Sequence, residues 1–144
     1  MKQRTLVLCK PDAMERRLGG EILARLEKTG LKIVAMKILW MDHKLAQRHY
    51  AVHKDKPFFN ELVDFITSGP IIAAVFEGEN AISVVREAMG KTDPEKAAPG
   101  TIRHDLAESI QKNLVHGSDA PETAKTEIAI FFKPEEILDY PTVS

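Results

Sequence analysis

The run Ile71-Ile72-Ala73-Ala74-Val75-Phe76 constrains the fold most. It is apolar throughout and shows no alternation, so it reads as a strand buried on both faces. Thr5-Leu6-Val7-Leu8-Cys9 is a second such run, stopped by Pro11-Asp12. Ile33 to Trp40 reads as a further strand and Ile128 to Phe132 as the fourth. Helical patterns lie between them. Leu18, Ile22 and Leu26 line one face before Gly30, and Asp42 can cap a helix whose Leu45, Ala46, His49, Tyr50 and His53 lie together. Phe58 to Thr67 follows Pro57 as a short helix, and Ile82, Val85 and Met89 mark another that Gly90 ends. Asp119 can cap a last short helix, with Glu122 completing a capping box. Around residues 91–112, Pro94, Pro99 and Gly100 break the pattern into a long loop with a turn of helix, and loops of that length are usually functional. The order β-α-β-α-α-β-α-β predicts an α+β fold: a ferredoxin-like antiparallel four-stranded sheet covered by helices. Without internal repeat or linker, residues 1–144 are expected to form a single domain.

Charge decides what such a domain can bind. Twenty Lys and Arg against 21 Asp and Glu leave a net charge of −1, so no global field exists for gripping nucleic acid. Any anion site must be local. The single Cys9 sits in an apolar run, reads as a small buried hydrophobe and fits a reducing compartment. Met1-Lys2-Gln3-Arg4 leads straight into a strand without a signal-like segment, and no apolar run nears the ~20 residues of a membrane span. A cytoplasmic protein with no membrane association is expected.

The chemistry centres on Asn113-Leu114-Val115-His116-Gly117-Ser118-Asp119. A histidine there can act as general base, metal ligand or phosphoryl acceptor. Its company narrows the choice: Lys10, Arg86 and Arg103, with Tyr50 and Thr92, are donors suited to anionic oxygens. No matching set of Cys or carboxylate metal ligands appears. His49 and His53 have the i, i+4 spacing of a zinc helix, but Tyr50 stands where a zinc protease would place glutamate. The combination points to phosphoryl transfer through a histidine.

Lys10-Pro11-Asp12, His49-Tyr50-Ala51-Val52-His53 with Pro57-Phe58-Phe59, Ser68-Gly69-Pro70, Pro99-Gly100-Thr101-Ile102-Arg103 and the His116 segment together resemble nucleoside diphosphate kinases. They occur in the family's order and span residues 4–132. The resemblance implies a ping-pong enzyme: a nucleoside triphosphate, typically ATP, gives its γ-phosphoryl to His116, which passes it to a nucleoside diphosphate. Imidazole, with a reference pKa near ~6.5, is largely neutral and nucleophilic at pH 7. Glu127 matches the glutamate that orients the histidine, Ser118 the hydroxyl assisting it, and Tyr50 a tyrosine near the transferred group. Arg86, Arg103 and Thr92 match the phosphate-binding residues, and Lys10 and Asn113 the pair that binds sugar hydroxyls. Phe58 matches the aromatic on which the base stacks, with Leu62 and Ile110 lining that slot. Stacking suits every base, so broad base and sugar tolerance is implied. Mg2+ would arrive on the phosphates, with Asp119 reaching it through water. The family also implies a homo-oligomer, tetramer or hexamer, and no obligatory nucleic acid partner.

One departure from the family pattern follows Arg103, where His104 replaces the usual glycine or small residue. The rival class is a non-catalytic ferredoxin-like binding module, against which the near-neutral charge and sparse aromatics count. A histidine phosphatase would usually carry Arg-His-Gly, yet Val115 precedes His116. A phosphocarrier protein would lack the nucleotide slot that Lys10, Phe58 and Asn113 outline.

Overall fold

The computed structural model describes residues 1–143. The apolar run opens strand β3 (Ile71–Glu79), whose residues from Ile72 to Glu79 pair with the whole of β1 (Lys2–Cys9). With β2 (Lys32–Leu39) and β4 (Val115–Gly117), the described residues form a four-stranded sheet in the order β2-β3-β1-β4. Every neighbouring pair is antiparallel. The architecture is therefore the expected α+β one.

Strand periodicity explains why Leu6–Cys9 of β1 and Ile71–Phe76 of β3 are apolar at every position. Successive side chains point to opposite faces, and both faces are covered. Leu6 and Leu8 join Ala73 and Val75 under α3 (His43–His49), α4 (Phe59–Ile66) and α7 (Pro121–Phe131). Val7 and Cys9 join Ile72, Ala74 and Phe76 under α1 (Pro11–Glu15), α2 (Gly19–Glu27), α5 (Ala81–Met89) and α6 (Ile102–Leu106). Truncating one of these fully buried leucines costs about 2–5 kcal/mol. Burial also pushes the Cys9 thiol up to about 12, which leaves it inert and in keeping with its reading as a small hydrophobe. The helix after Asp42 starts as expected, since its carboxylate accepts the Leu45 N–H at 2.7 Å.

Two local expectations are corrected, the fourth strand and the Asp119 cap. Ile128–Phe132 is not the fourth strand: all but Phe132 belong to α7. Ala124, Glu127, Ile128 and Phe131 are its buried positions, and their spacing is that of a helix stripe. The fourth strand is instead the short Val115–Gly117 segment, and Glu127 lies within a helix rather than at a helix–strand junction. Pro11-Asp12 follows the end of β1 at Cys9, as expected, and also begins α1, with proline in the first turn where its missing N–H costs nothing. Asp119 caps nothing: Ala120 precedes α7 without a side-chain cap, and Pro121 opens the helix.

The expected loop around residues 91–112 is present and carries α6 as its turn of helix. Its entry depends on Gly90, where φ is +85° and an added Cβ would lie 2.5 Å from Thr101 Oγ1. At the other end of the loop, Leu114 has φ of +76°, an uncommon backbone state for a residue with a side chain. Asp12 holds it there: its Oδ2 accepts the Leu114 N–H at 3.0 Å inside the core. Lys10 N–H donates to the Leu114 carbonyl at 2.8 Å, closing the clamp. Asp12→Ala should therefore destabilise the protein by about 1–3 kcal/mol, because the buried Leu114 N–H loses its acceptor. Asp12→Asn keeps an acceptor oxygen and should retain most of that stability; urea unfolding of the two variants checks the difference.

Candidate active site

His116 is the middle residue of β4, directly opposite Leu8 of β1. Its neighbours Val115 and Gly117 are buried, whereas its own ring is partly open. Gly117 is fixed by crowding, since an added Cβ would lie 2.9 Å from Met89 Cε of α5. The sheet thus turns His116 toward the side covered by α3 and α7, where the last residue of α3 and the middle of α7 meet it.

Glu127 organises the meeting point. Its Oε1 accepts the Ser118 hydroxyl at 2.7 Å, and that hydroxyl oxygen in turn accepts the Leu6 N–H at 3.1 Å. Its Oε2 lies 3.0 Å from His116 Nε2. That contact fixes the direction of the ring and favours the tautomer with its hydrogen on Nε2. Burial would raise the Glu127 carboxyl, but the His116 imidazole, the Ser118 hydroxyl and nearby His49 outweigh it and hold the group below the usual range. Glu127 is thus a buried carboxylate at neutral pH. With Nε2 buried against it, Nδ1 is the His116 nitrogen left to face the solvent side.

His49, at the end of α3, packs edge-on against His116 with ring centroids 4.9 Å apart. Its Nδ1 is 3.9 Å from Glu127 Oε2. Burial first, then proximity to His116, lowers its pKa to about 3, so it is neutral. Tyr50 adjoins it, and burial together with the Glu127 charge pushes the phenol up to about 12. Tyr50 therefore remains a hydroxyl donor.

These groups border a cavity of about 720 Å³ whose other walls come from α5 and the loop beyond it. Arg86, Thr92, Arg103 and Asp119 line it together with Tyr50, His116 and Glu127. Arg103 is locked in place: Nη1 donates to the Gly90 carbonyl at 3.0 Å and Nη2 to the Val115 carbonyl at 2.7 Å. Burial and the nearby Arg86 lower its pKa to about 10, which still leaves it cationic at pH 7. Among the described residues, neither arginine has a carboxylate within 4.0 Å. Two cations held together without a counter-charge make a local anion site in a chain of net charge −1.

Other expected residues flank this cavity without lining it. Ser118 is fully buried behind Glu127. Lys10 donates to Asn113 Oδ1 at 3.0 Å, and Asn113 Nδ2 to the Ile110 carbonyl at 2.9 Å. Burial and Arg103 lower the Lys10 pKa to about 8. Phe58 and Ile110 are exposed, and Leu62 packs against the core. A chain of rings, Tyr50 to His53 to Phe58, leads from the cavity to that exposed aromatic, with centroid spacings of 6.4 and 5.8 Å. His104 pairs with Asp105 at 3.0 Å, and Asp105 bonds to Arg25 at 2.9 Å. The side chain at position 104 thus joins a surface cluster and leaves Arg103 in its pocket. Sequence reasoning missed His49 as a member of the site, having paired it with His53. The i, i+4 spacing concealed that its nearest ring partners include His116.

Comparison with known proteins gives a consistent match. The family model described as nucleoside diphosphate kinase covers residues 3–137. A nucleoside diphosphate kinase of Dehalococcoides mccartyi is 56% identical over 138 residues, covering 96% of this chain and 97% of that one. One from Archaeoglobus fulgidus is 54% identical, covering 96% and 91%. Among solved structures, a halophilic nucleoside diphosphate kinase of Halobacterium salinarum in complex with CDP aligns with a TM-score of 0.95. It is 49% identical, covering 99% of this chain and 95% of that one. The enzyme of Aquifex aeolicus aligns with a TM-score of 0.93 at 45% identity, covering 96% and 100%.

The buried neutral His49 generates a pH prediction. Between its ordinary value of 6.5 and about 3, only the unfolded chain binds its proton. Stability contributed by the neutral ring is therefore complete above pH 6.5 and lost as pH falls. Denaturant unfolding should show a loss on the order of 2 kcal/mol from this group between pH 7 and pH 5. His49→Phe should flatten that part of the profile.

Proposed function

The chain belongs to the nucleoside diphosphate kinase family, and we propose that its phosphoryl carrier is His116 Nδ1. The enzyme is a nucleoside diphosphate kinase; a non-catalytic binding module is not favoured. One observation carries the proposal: Nε2 of His116 is held 3.0 Å from the Glu127 carboxylate while the ring borders a cavity lined by Arg86 and Arg103.

In the first half-reaction the Nδ1 lone pair attacks the γ-phosphorus of a nucleoside triphosphate, typically ATP. The N–P bond forms as the bond to the bridging oxygen breaks, and the nucleoside diphosphate leaves with that oxygen. The imidazole gains positive character, which the Glu127 carboxylate beside Nε2 stabilises. The second half-reaction is the reverse with a different diphosphate. Since one phosphoanhydride replaces another, the equilibrium constant lies near one. Arg86 and Arg103 offer permanent cations to the equatorial oxygens, whose charge is greatest as the group transfers. Thr92 adds a hydroxyl, and Tyr50 holds a neutral donor beside the transferred group. Ser118 acts through Glu127 by fixing its second oxygen.

Lys10 and Asn113, already bonded to each other, suit the sugar hydroxyls. Phe58, with Ile110 and Leu62, suits the base, as an exposed ring offers stacking without reading an edge. Mg2+ fits the donor set as an ion carried by the phosphates: Asp119 is an exposed carboxylate on the cavity lining, able to reach it through water. When bound there, the ion neutralises phosphate charge.

Residues 1–144 act as one such domain, in the cytoplasm and as a homo-oligomer, tetramer or hexamer. The exposed apolar residues Met36, Ile38 and Trp40 on and beside edge strand β2 support association. No helix among the described residues is long and apolar enough to cross a membrane.

Incubation with γ-labelled ATP and Mg2+ should leave acid-labile label on the protein, and a nucleoside diphosphate chase should remove it as triphosphate. His116→Ala should carry none. Label released only as inorganic phosphate would overturn the transfer reading. Arg103→Ala should lower turnover by at least about tenfold; an unchanged rate would place Arg103 outside the reaction. Steady-state rates with the four common diphosphates should differ by less than about a hundredfold if stacking dominates base recognition.

A further inference from the structure

His49 is among the most enclosed polar side chains of the site, 1% exposed, and neither of its ring nitrogens has a hydrogen-bond partner. An imidazole placed so costs free energy unless its nitrogens are used. One of those nitrogens, one nitrogen of His116 and one carboxylate oxygen of Glu127 all lie within 4.8 Å of one another. Two imidazole nitrogens and a carboxylate oxygen are the donor set of three-ligand zinc sites, whose remaining position stays open. His116 borders the cavity, so that open position would face solvent.

We propose that His49, His116 and Glu127 form a binding site for a borderline divalent cation such as Zn2+, and that its occupancy disables His116 as a phosphoryl acceptor. The chemistry separates this site from the one proposed for Mg2+. Nitrogen donors favour zinc over magnesium, which prefers oxygen ligands and retains its waters. Atoms each about 2.1 Å from one ion can be at most about 4.2 Å apart. At tetrahedral angles such atoms are about 3.4 Å apart, so a pair at the 4.8 Å limit must close by about 1.4 Å as the side chains gather round the ion.

Occupancy would act through the tautomer. A neutral imidazole has one N–H and one lone pair. With Nε2–H directed at Glu127, the lone pair is on Nδ1, where attack requires it. Coordination through Nε2 needs the lone pair on that nitrogen, so the ring hydrogen moves from Nε2 to Nδ1, no proton is lost overall, and Nδ1 no longer has a lone pair for attack. The nucleotide cavity remains open, but its nucleophile is gone. The binding half of the proposal rests on geometry alone; the inhibitory half rests on His116 as the phosphoryl acceptor.

The test uses the whole chain, stripped of metal by dialysis against a chelator and titrated with Zn2+ against a chromophoric zinc indicator. Wild type should bind one equivalent, and excess Mg2+ should not displace it. His49→Phe and His116→Gln should each weaken binding by at least about tenfold. If His49→Phe fails to fold, His116→Gln, at a partly open position, still decides the matter. Equal zinc affinity in wild type and His116→Gln, or no binding at micromolar zinc, would overturn the site. In parallel, one equivalent of Zn2+ should suppress labelling of wild type by γ-labelled MgATP, and a chelator should restore it. Unchanged labelling of the zinc-loaded enzyme would overturn the inhibitory half. Absence of labelling in zinc-free enzyme would instead strike the phosphohistidine reading and leave the binding result standing.

Discussion

The Glu127 carboxylate is the hinge on which this structure turns. One oxygen is tied through Ser118 to the backbone of the central strand, and the other faces His116 on the edge strand. Helix α7, strand β1 and strand β4 are thereby joined at one ionised, buried group. Such a group is costly to bury unless each oxygen is engaged. Here the engagement is also the chemistry: the contact that makes burial tolerable is the one that leaves His116 with its other nitrogen outward. Stability and reactivity share a single arrangement.

Around that group the fold supplies two different environments a few ångströms apart. Toward α3 the site is enclosed, with His49 kept neutral and Tyr50 kept protonated by burial. Toward α5 it is cationic and open, with Arg86 and Arg103 uncompensated by carboxylates. His116, the proposed phosphoryl acceptor, lies at the border. Charge stabilisation of a transferring phosphoryl group is strongest when the cations are fixed beforehand and water is restricted on one side. In a chain of net charge −1, the cationic half of this arrangement comes from placement rather than composition.

Much of this was legible in the sequence, and the failures have physical causes. Ile71–Phe76 announced a strand covered on both faces because unbroken apolarity has few other uses at that length. The capping role of Asp42 was equally clear, since the carboxylate acts on a backbone N–H three residues away. By contrast, Ile128–Phe132 is short and apolar, a pattern that fits a strand or a buried helix. The stripe of Ala124, Glu127, Ile128 and Phe131 would have separated them, but it required accepting a glutamate as a core position. β4 could not be found from pattern, as three residues carry no period. The hold of Asp12 on Leu114 was not legible, because the two are distant in the chain. His49 was missed for the same reason: its relation to His116 exists only in the folded chain. The residues of the candidate site were nameable through their resemblance to a known family; their geometry was not.

Arg103 is anchored by the main-chain oxygens of Gly90 and Val115 rather than by side chains. An anchor of that kind is indifferent to what side chain position 115 carries, provided the strand keeps its path. Position 90 is different, because a positive φ and the closeness of Thr101 reserve it for glycine. Mutational tolerance around the site should therefore be lopsided, with one supporting position free to drift within a hydrophobic set and the other effectively frozen. The same guanidinium would be preserved through substitutions that look severe and lost through one that looks minor.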